Sequence, residues 1–130
     1  MRKKQRVMWL MLCILLYVLF SYQVAFAVEE TGGIGLKISQ LYDYTTTGED
    51  KRGSLVVLDV FKGSPAHQGG IEKGDIILQI DNVFTRKRDF RELLEKLLRG
   101  PSFTDVTLVI WRPSKQERIE MKLQRTTMVY

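Results

Sequence analysis

The chain is poor in the residues that most often carry chemistry. It has one cysteine, Cys13, and one histidine, His67, in 130 residues. Cys13 lies inside an apolar run, so everything after it can form no disulfide and offers no thiol nucleophile or thiolate metal ligand. A single histidine without clustered carboxylates makes a metal site a poor reading. Acidic residues are absent from the first 27 positions, which hold Arg2, Lys3, Lys4 and Arg6. The remaining 103 residues carry 16 basic and 15 acidic groups, so the formal charge of +5 belongs to the leader. Nucleic acid is therefore not an expected partner. No Walker pattern occurs. Gly32-Gly33-x-Gly35 is no dinucleotide fingerprint, because no strand precedes it and a strand follows.

What is present begins with a leader. Four cations precede an unbroken apolar run over residues 7–20, and Ala25-Phe26-Ala27 gives the small-x-small pattern of a cleavage site. These three parts describe a secretory signal peptide over residues 1–27. An uncleaved anchor over residues 7–28 is the alternative, since about 20 apolar residues span a bilayer core. Either way the expectation is an exported domain, periplasmic or extracellular, that touches membrane only if the leader stays attached.

Residues 28–130 read as one domain. Ile34, Leu36 and Ile38 alternate with small or polar residues, the period of a half-buried strand. Residues 42–53 are polar and form a loop or open hairpin. Residues 55–61 (LVVLDVF) suit a strand buried on both faces. Ser64 is placed to cap a short helical turn with Pro65 at its first position, ending at Gln68 before Gly69-Gly70. Residues 76–80 are the next strand, followed by a tight Asp81-Asn82 turn. Phe90, Leu93, Leu94, Leu97 and Leu98 recur at helical spacing, which predicts one long helix over residues 89–99, stopped by Gly100-Pro101. Val106, Leu108 and Ile110 mark a strand, and Ile119, Met121 and Leu123 a last one. The fold class is α+β, a small, mostly antiparallel β-sandwich or barrel closed by one short and one long helix.

Two stretches together resemble a bacterial-type PDZ domain, as in carboxy-terminal processing and high-temperature-requirement-type proteases. Gly33-Ile34-Gly35-Leu36 resembles that family's carboxylate-binding loop. Residues 63–77, GSPAHQGGIEKGDII, are similar to its long GSPA-x-x-x-GI-x-x-GD-x-I signature. Leu97-Leu98-Arg99-Gly100-Pro101, followed by Val106-Thr107-Leu108, resembles the helix exit of the processing-protease modules. The resemblance covers about residues 32–124.

It implies a module that binds protein C-termini or extended peptides. The amides of Ile34, Gly35 and Leu36 would form an anion nest for a terminal carboxylate. Lys37, Ile38 and Ser39 would offer an edge for β-augmentation, and Phe90, Leu94 and Leu97 would wall the pocket for the last side chain. Modest affinity is expected, with Kd on the order of 1–100 μM.

Each remaining signal has a plainer reading beside it. Asp75 is expected to cap or brace a turn, and His67 to be solvated. Arg86, Lys87, Arg88 and Arg91 cluster where the long helix begins. They form either a solvated face with Arg88–Glu92 and Arg91–Glu95 pairs or an attraction for acidic residues upstream in a bound peptide. The terminal Met128-Val129-Tyr130 has the chemistry such a groove accepts, so self-occupancy is a further possibility.

No mature serine has a base at motif spacing, so no catalysis and no cofactor are expected. The chain reads as an adaptor or scaffold. The alternative is a regulatory or substrate-recognition component of a protease or an envelope secretion assembly, working in trans.

Overall fold

The computed structural model describes residues 2–24, 31–45 and 47–127. The predicted cleavage site, the lead-in after it and Met128-Val129-Tyr130 lie outside them. Arg2–Val24 forms helix α1, along which the side chains from Val7 to Leu19 are solvent-exposed. Among the described residues no helix is long and apolar enough to cross a membrane.

The rest of the chain builds two antiparallel sheets. Strands β1 (Thr31–Gly33), β2 (Leu36–Tyr42), β3 (Arg52–Val60), β4 (Ile76–Ile80) and β5 (Val83–Phe84) come first, with the short helix α2 (Pro65–Gln68) between β3 and β4. Helix α3 (Phe90–Glu92) follows and runs on as a π-helical turn over Leu93–Leu98. Strands β6 (Gly100–Pro101), β7 (Asp105–Arg112), β8 (Glu117–Gln124) and β9 (Thr126–Thr127) complete the chain. The larger sheet has the order β2-β3-β4-β7-β8, with β5 hairpinned onto β4, and the smaller has the order β6-β1-β9. The larger sheet stays open rather than closing into a barrel, and β2 is one of its edges.

Local chemistry explains most of these boundaries. Ser64 caps α2 by accepting from the His67 N–H at 3.2 Å, with Pro65 at the first helical position. Asp81 and Asn82 both adopt left-handed backbone, φ 47° and 65°, the conformation a two-residue hairpin turn requires. Asp81 also exchanges bonds with Thr107 on β7, its N–H donating at 2.8 Å and its Oδ1 accepting at 2.8 Å.

The core gathers Leu55 and Val57 of β3, Ile77 and Ile80 of β4, Leu93, and Val106, Leu108 and Ile110 of β7. Ile34, Ala66, Ile71, Leu98 and Leu123 complete it.

Three sequence expectations change here. The strand read from Ile34 begins at Leu36, and Ile34 and Gly35 form the loop between β1 and β2. Strand β3 is buried on one face, not two: Leu55 and Val57 are buried, while Leu58 is 41% exposed and Asp59 is exposed. Val56 between the two buried residues is half-buried, and the register slip at Leu58 turns Leu58 and Asp59 out to solvent together. The long helix is α-helical for one turn and then π-helical. Its last bond runs from the Arg99 N–H to the Leu94 carbonyl, i to i+5, at 2.9 Å. That spacing puts residues five apart on one face, and it lets Leu93 (0% exposed) and Leu98 (4%) both enter the core.

Candidate functional site

Between β1 and β2 the chain turns at Gly35, whose φ of +83° is one that side-chain-bearing residues rarely adopt. Ile34 anchors this loop through a buried side chain. Its carbonyl accepts from the Ala66 N–H at the start of α2, at 2.9 Å. The Gly35 carbonyl accepts from the Phe61 N–H beyond β3, also at 2.9 Å. A trans peptide unit points its C=O and the following N–H in opposite directions. With both carbonyls turned toward the body of the domain, the N–H groups of Gly35 and Leu36 point away from it.

The pairing register says the same of the strand that follows. Leu36 lies opposite Val60, and the Phe61-to-Gly35 bond makes that pair a non-hydrogen-bonded one. The backbone polar groups of Leu36 therefore face away from β3, toward the edge of β2 that is unpaired among the described residues.

This loop, β2 and the π-helical turn enclose a cavity of about 60 Å³. Its lining combines the loop over residues 33–36, Ile38 of β2, and Leu94, Leu98 and Arg99 of the helical wall. The cavity is small and open to solvent on one side, so it suits a small side chain rather than a bulky one.

The predicted site residues are thus largely brought together. Gly33, Ile34, Gly35, Leu36, Ile38 and Leu94 share the cavity. Lys37 and Ser39 lie on β2 opposite Asp59 and Val56 of β3 and line no part of the cavity. Phe90 and Leu97 are half-buried against the core and also stay outside the cavity lining. The helical wall contributes Leu94, Leu98 and the extended C-cap residue Arg99 instead.

Arg99 is the residue that sequence reasoning missed. It is exposed and, among the described residues, makes no ion pair, while lining a cavity at the mouth of outward-facing amides. The signal lay in the Leu97-Leu98-Arg99-Gly100-Pro101 stretch, read there only as a helix exit.

Two buried arginines, also unanticipated, brace the surroundings. Arg112 grips Asp75 through two bonds and reaches the Gly70 carbonyl at 2.8 Å. Asp75 in turn accepts from the Glu72 N–H at 2.8 Å, which makes it the brace of the turn expected from the sequence. Its carboxylate holds the Arg112 guanidinium charged, raising its pKa above the usual arginine range.

Arg125 donates to the carbonyls of Leu97 at 2.7 Å and Leu98 at 2.9 Å, so it caps the end of the helical wall. The same guanidinium reaches the Thr104 hydroxyl at 3.0 Å and the Asp105 carbonyl at 2.9 Å. His67 is exposed, as expected, and its Nδ1 accepts from the Gly63 N–H at 3.1 Å. The Arg88–Glu92 and Arg91–Glu95 pairs are absent among the described residues. The ion pair that the basic cluster makes instead joins Arg86 to Asp43.

The family model for the PDZ domain matches residues 56–112. Among curated proteins, the chain is 29% identical over 77 residues to the "Probable CtpA-like serine protease" of Staphylococcus aureus, a span of 59% of this chain and 15% of that protein. It is 32% identical over 75 residues to the "Probable periplasmic serine endoprotease DegP-like" of Bartonella henselae, covering 58% of this chain and 14% of the relative. The match thus spans about a seventh of the length of either protease.

Among solved structures, the photosystem II D1 C-terminal processing protease superposes with a TM-score of 0.62 at 23% identity, over 82% of this chain and 26% of the other. The HtrA-type protease AlgW with decapeptide gives 0.59 at 22% identity, over 76% and 30%. At these identities the structural likeness establishes the fold.

Proposed function

This chain carries a bacterial-type PDZ domain, and from that premise we propose that it captures protein C-termini by β-augmentation on β2, without catalysis of its own. The observation that carries the reading is the direction of the Gly35 and Leu36 amides. They leave the fold beside a strand edge that is unpaired among the described residues and above a small cavity lined by both polar and apolar groups. Two outward amides and the Arg99 guanidinium together offer charge-assisted donors for one carboxylate. Ile38, Leu94 and Leu98 supply the apolar floor, and its 60 Å³ favours a small terminal side chain. A solved structure similar to this domain is described as holding a decapeptide, which supports the peptide class.

The proposed setting is outside the cytoplasm, with residues 1–27 as export signal. The role there is that of an adaptor or scaffold. A second reading, substrate recognition in trans for a protease or an envelope assembly, is favoured by one observation. Both curated relatives quoted above are named as proteases, and the matched segment is only 14–15% of each.

The test is a library of peptides with free C-termini, titrated against the purified full chain beside the same peptides amidated at the C-terminus. Free-carboxylate peptides should bind with Kd on the order of 1–100 μM, and amidation should cost at least about tenfold. Equal binding by the amidated set would overturn the carboxylate reading. Casein turnover by the purified protein would overturn the non-catalytic one.

A further inference from the structure

The helical wall of the groove begins in a strongly basic turn, with Arg86, Lys87, Arg88 and Arg91 within six positions. The start of a helix disfavours cations, and local pairing accounts for only part of the cluster. Arg86 is matched by Asp43, and Lys87 stands near Asp50. The acids on the wall itself are Asp89, Glu92 and Glu95, and among the described residues none of them forms an ion pair. The Asp89 carboxylate is engaged as helix cap, accepting from the Glu92 N–H at 3.2 Å. Arg88 and Arg91 are exposed and, among the described residues, make no ion pair.

One contact fixes where this turn sits along the groove. The Gln40 side chain, on β2, donates to the Arg88 carbonyl at 2.8 Å and to the Gly53 carbonyl at 3.2 Å. Gln40 lies four residues past Leu36, about 13 Å along an extended strand. Arg91 is one helical turn before Leu94, which lines the cavity. A peptide whose terminal carboxylate sits at the Gly35 and Leu36 amides must run antiparallel to β2. Its last residue lies beside Leu36, and its fifth-from-last lies beside Gln40. The segment four to six residues before the terminus then passes Arg88 and Arg91.

We infer that this basic turn selects peptides carrying Asp or Glu four to six residues before the C-terminus. The inference rests on the groove reading above and adds to it a second, electrostatic subsite. Partners are then proteins with an acidic stretch just upstream of a small apolar end.

The experiment uses the full chain and three peptide libraries with free carboxylates. Each is randomised over the last three residues and carries Glu, Gln or Lys at the three positions before the fourth-from-last. Two exposed charge contacts should favour the Glu set over the Gln set by roughly three- to tenfold, with the Lys set weakest. The preference should shrink as salt rises from about 50 to about 500 mM. It should vanish in Arg88→Gln/Arg91→Gln while the Gln set binds as before, and invert in Arg88→Glu/Arg91→Glu. Equal binding of the three sets, or a preference surviving the double Gln variant, overturns the inference while leaving carboxylate-dependent capture standing. Loss of all binding to every free-carboxylate set overturns both.

Discussion

Arg112 meets Asp75 with two parallel bonds, Nε to Oδ1 at 2.9 Å and Nη2 to Oδ2 at 2.8 Å, with the Asp75 side chain 2% and the Arg112 side chain 9% exposed. A bidentate pair this sheltered ties the turn after α2 to β7. Removing one partner strands the other charge away from water, which costs on the order of 3–5 kcal/mol. Asp75→Ala should therefore lower unfolding free energy by that amount in urea titrations. A loss under about 1 kcal/mol would show that the pair is not what holds the turn.

Gly35 is predicted to be intolerant of any side chain. At φ +83°, Gly35→Ala should cost about 1–2 kcal/mol in stability. It should also weaken free-carboxylate peptides severalfold while leaving amidated ones unchanged, because relief of the strain turns the Leu36 amide out of line. Calorimetry on both peptide forms checks this, and a parallel loss for both forms would contradict it.

Arg125 should matter to binding without touching ligand. Lysine keeps its charge but not the fork that reaches the Leu97 and Leu98 carbonyls together. Arg125→Lys should cost about 1.5–3 kcal/mol in stability and loosen the helical wall, seen as faster amide exchange over residues 93–99. Gly100 is part of the same joint, since a Cβ there would lie 3.0 Å from the Arg125 guanidinium carbon. Gly100→Ala should reproduce the effect in weaker form.

The Asp50 carboxylate should titrate abnormally low. Bonds from the Arg52 side chain and then from the Arg52 N–H favour its charged form and lower its pKa to about 2. A depressed carboxylate adds stability above its unfolded value near 4 and loses it as pH falls toward 2. Carbon-detected NMR titration should place Asp50 near 2 in the native chain. In Arg52→Gln it should return to the ordinary carboxylate range. An unchanged pKa in that variant would rule Arg52 out as the cause.

Much of the scaffold is legible in the sequence. Ser64 with Pro65, and Asp81 with Asn82, are local signals whose geometry depends on their own backbone, and both turns stand where they were expected. The loop at Gly33-Ile34-Gly35-Leu36 was also legible, because glycine spacing reports a turn directly. The helical wall was not. Leucines at 93, 94, 97 and 98 satisfy α spacing and i-to-i+5 spacing alike, and only packing against the core decides between them. Arg112 and Arg125 escaped for a different reason. Arginine is normally read as surface, and the carbonyls and the carboxylate that compensate its burial come from distant parts of the chain. Arg99 is the extended C-cap of that helix, and its place on the cavity depends on where the helix ends against β2, which comes from the packing of distant segments.

Strand β2 also bears on how the domain avoids sticking to itself. Its pairing with β3 slips twice, between Lys37 and Ile38 and again between Gln40 and Tyr42. Such bulges sharpen the local twist and spoil the flat, repeating template that open strands need to stack into fibres. The uninterrupted stretch left beside the Gly35 turn is only a few residues long, enough for a tail to dock and too little for whole sheets to join edge to edge. Straightening those two irregularities, for instance by deleting Leu58 opposite the first, would be expected to trade a reversible receptor for an aggregating one.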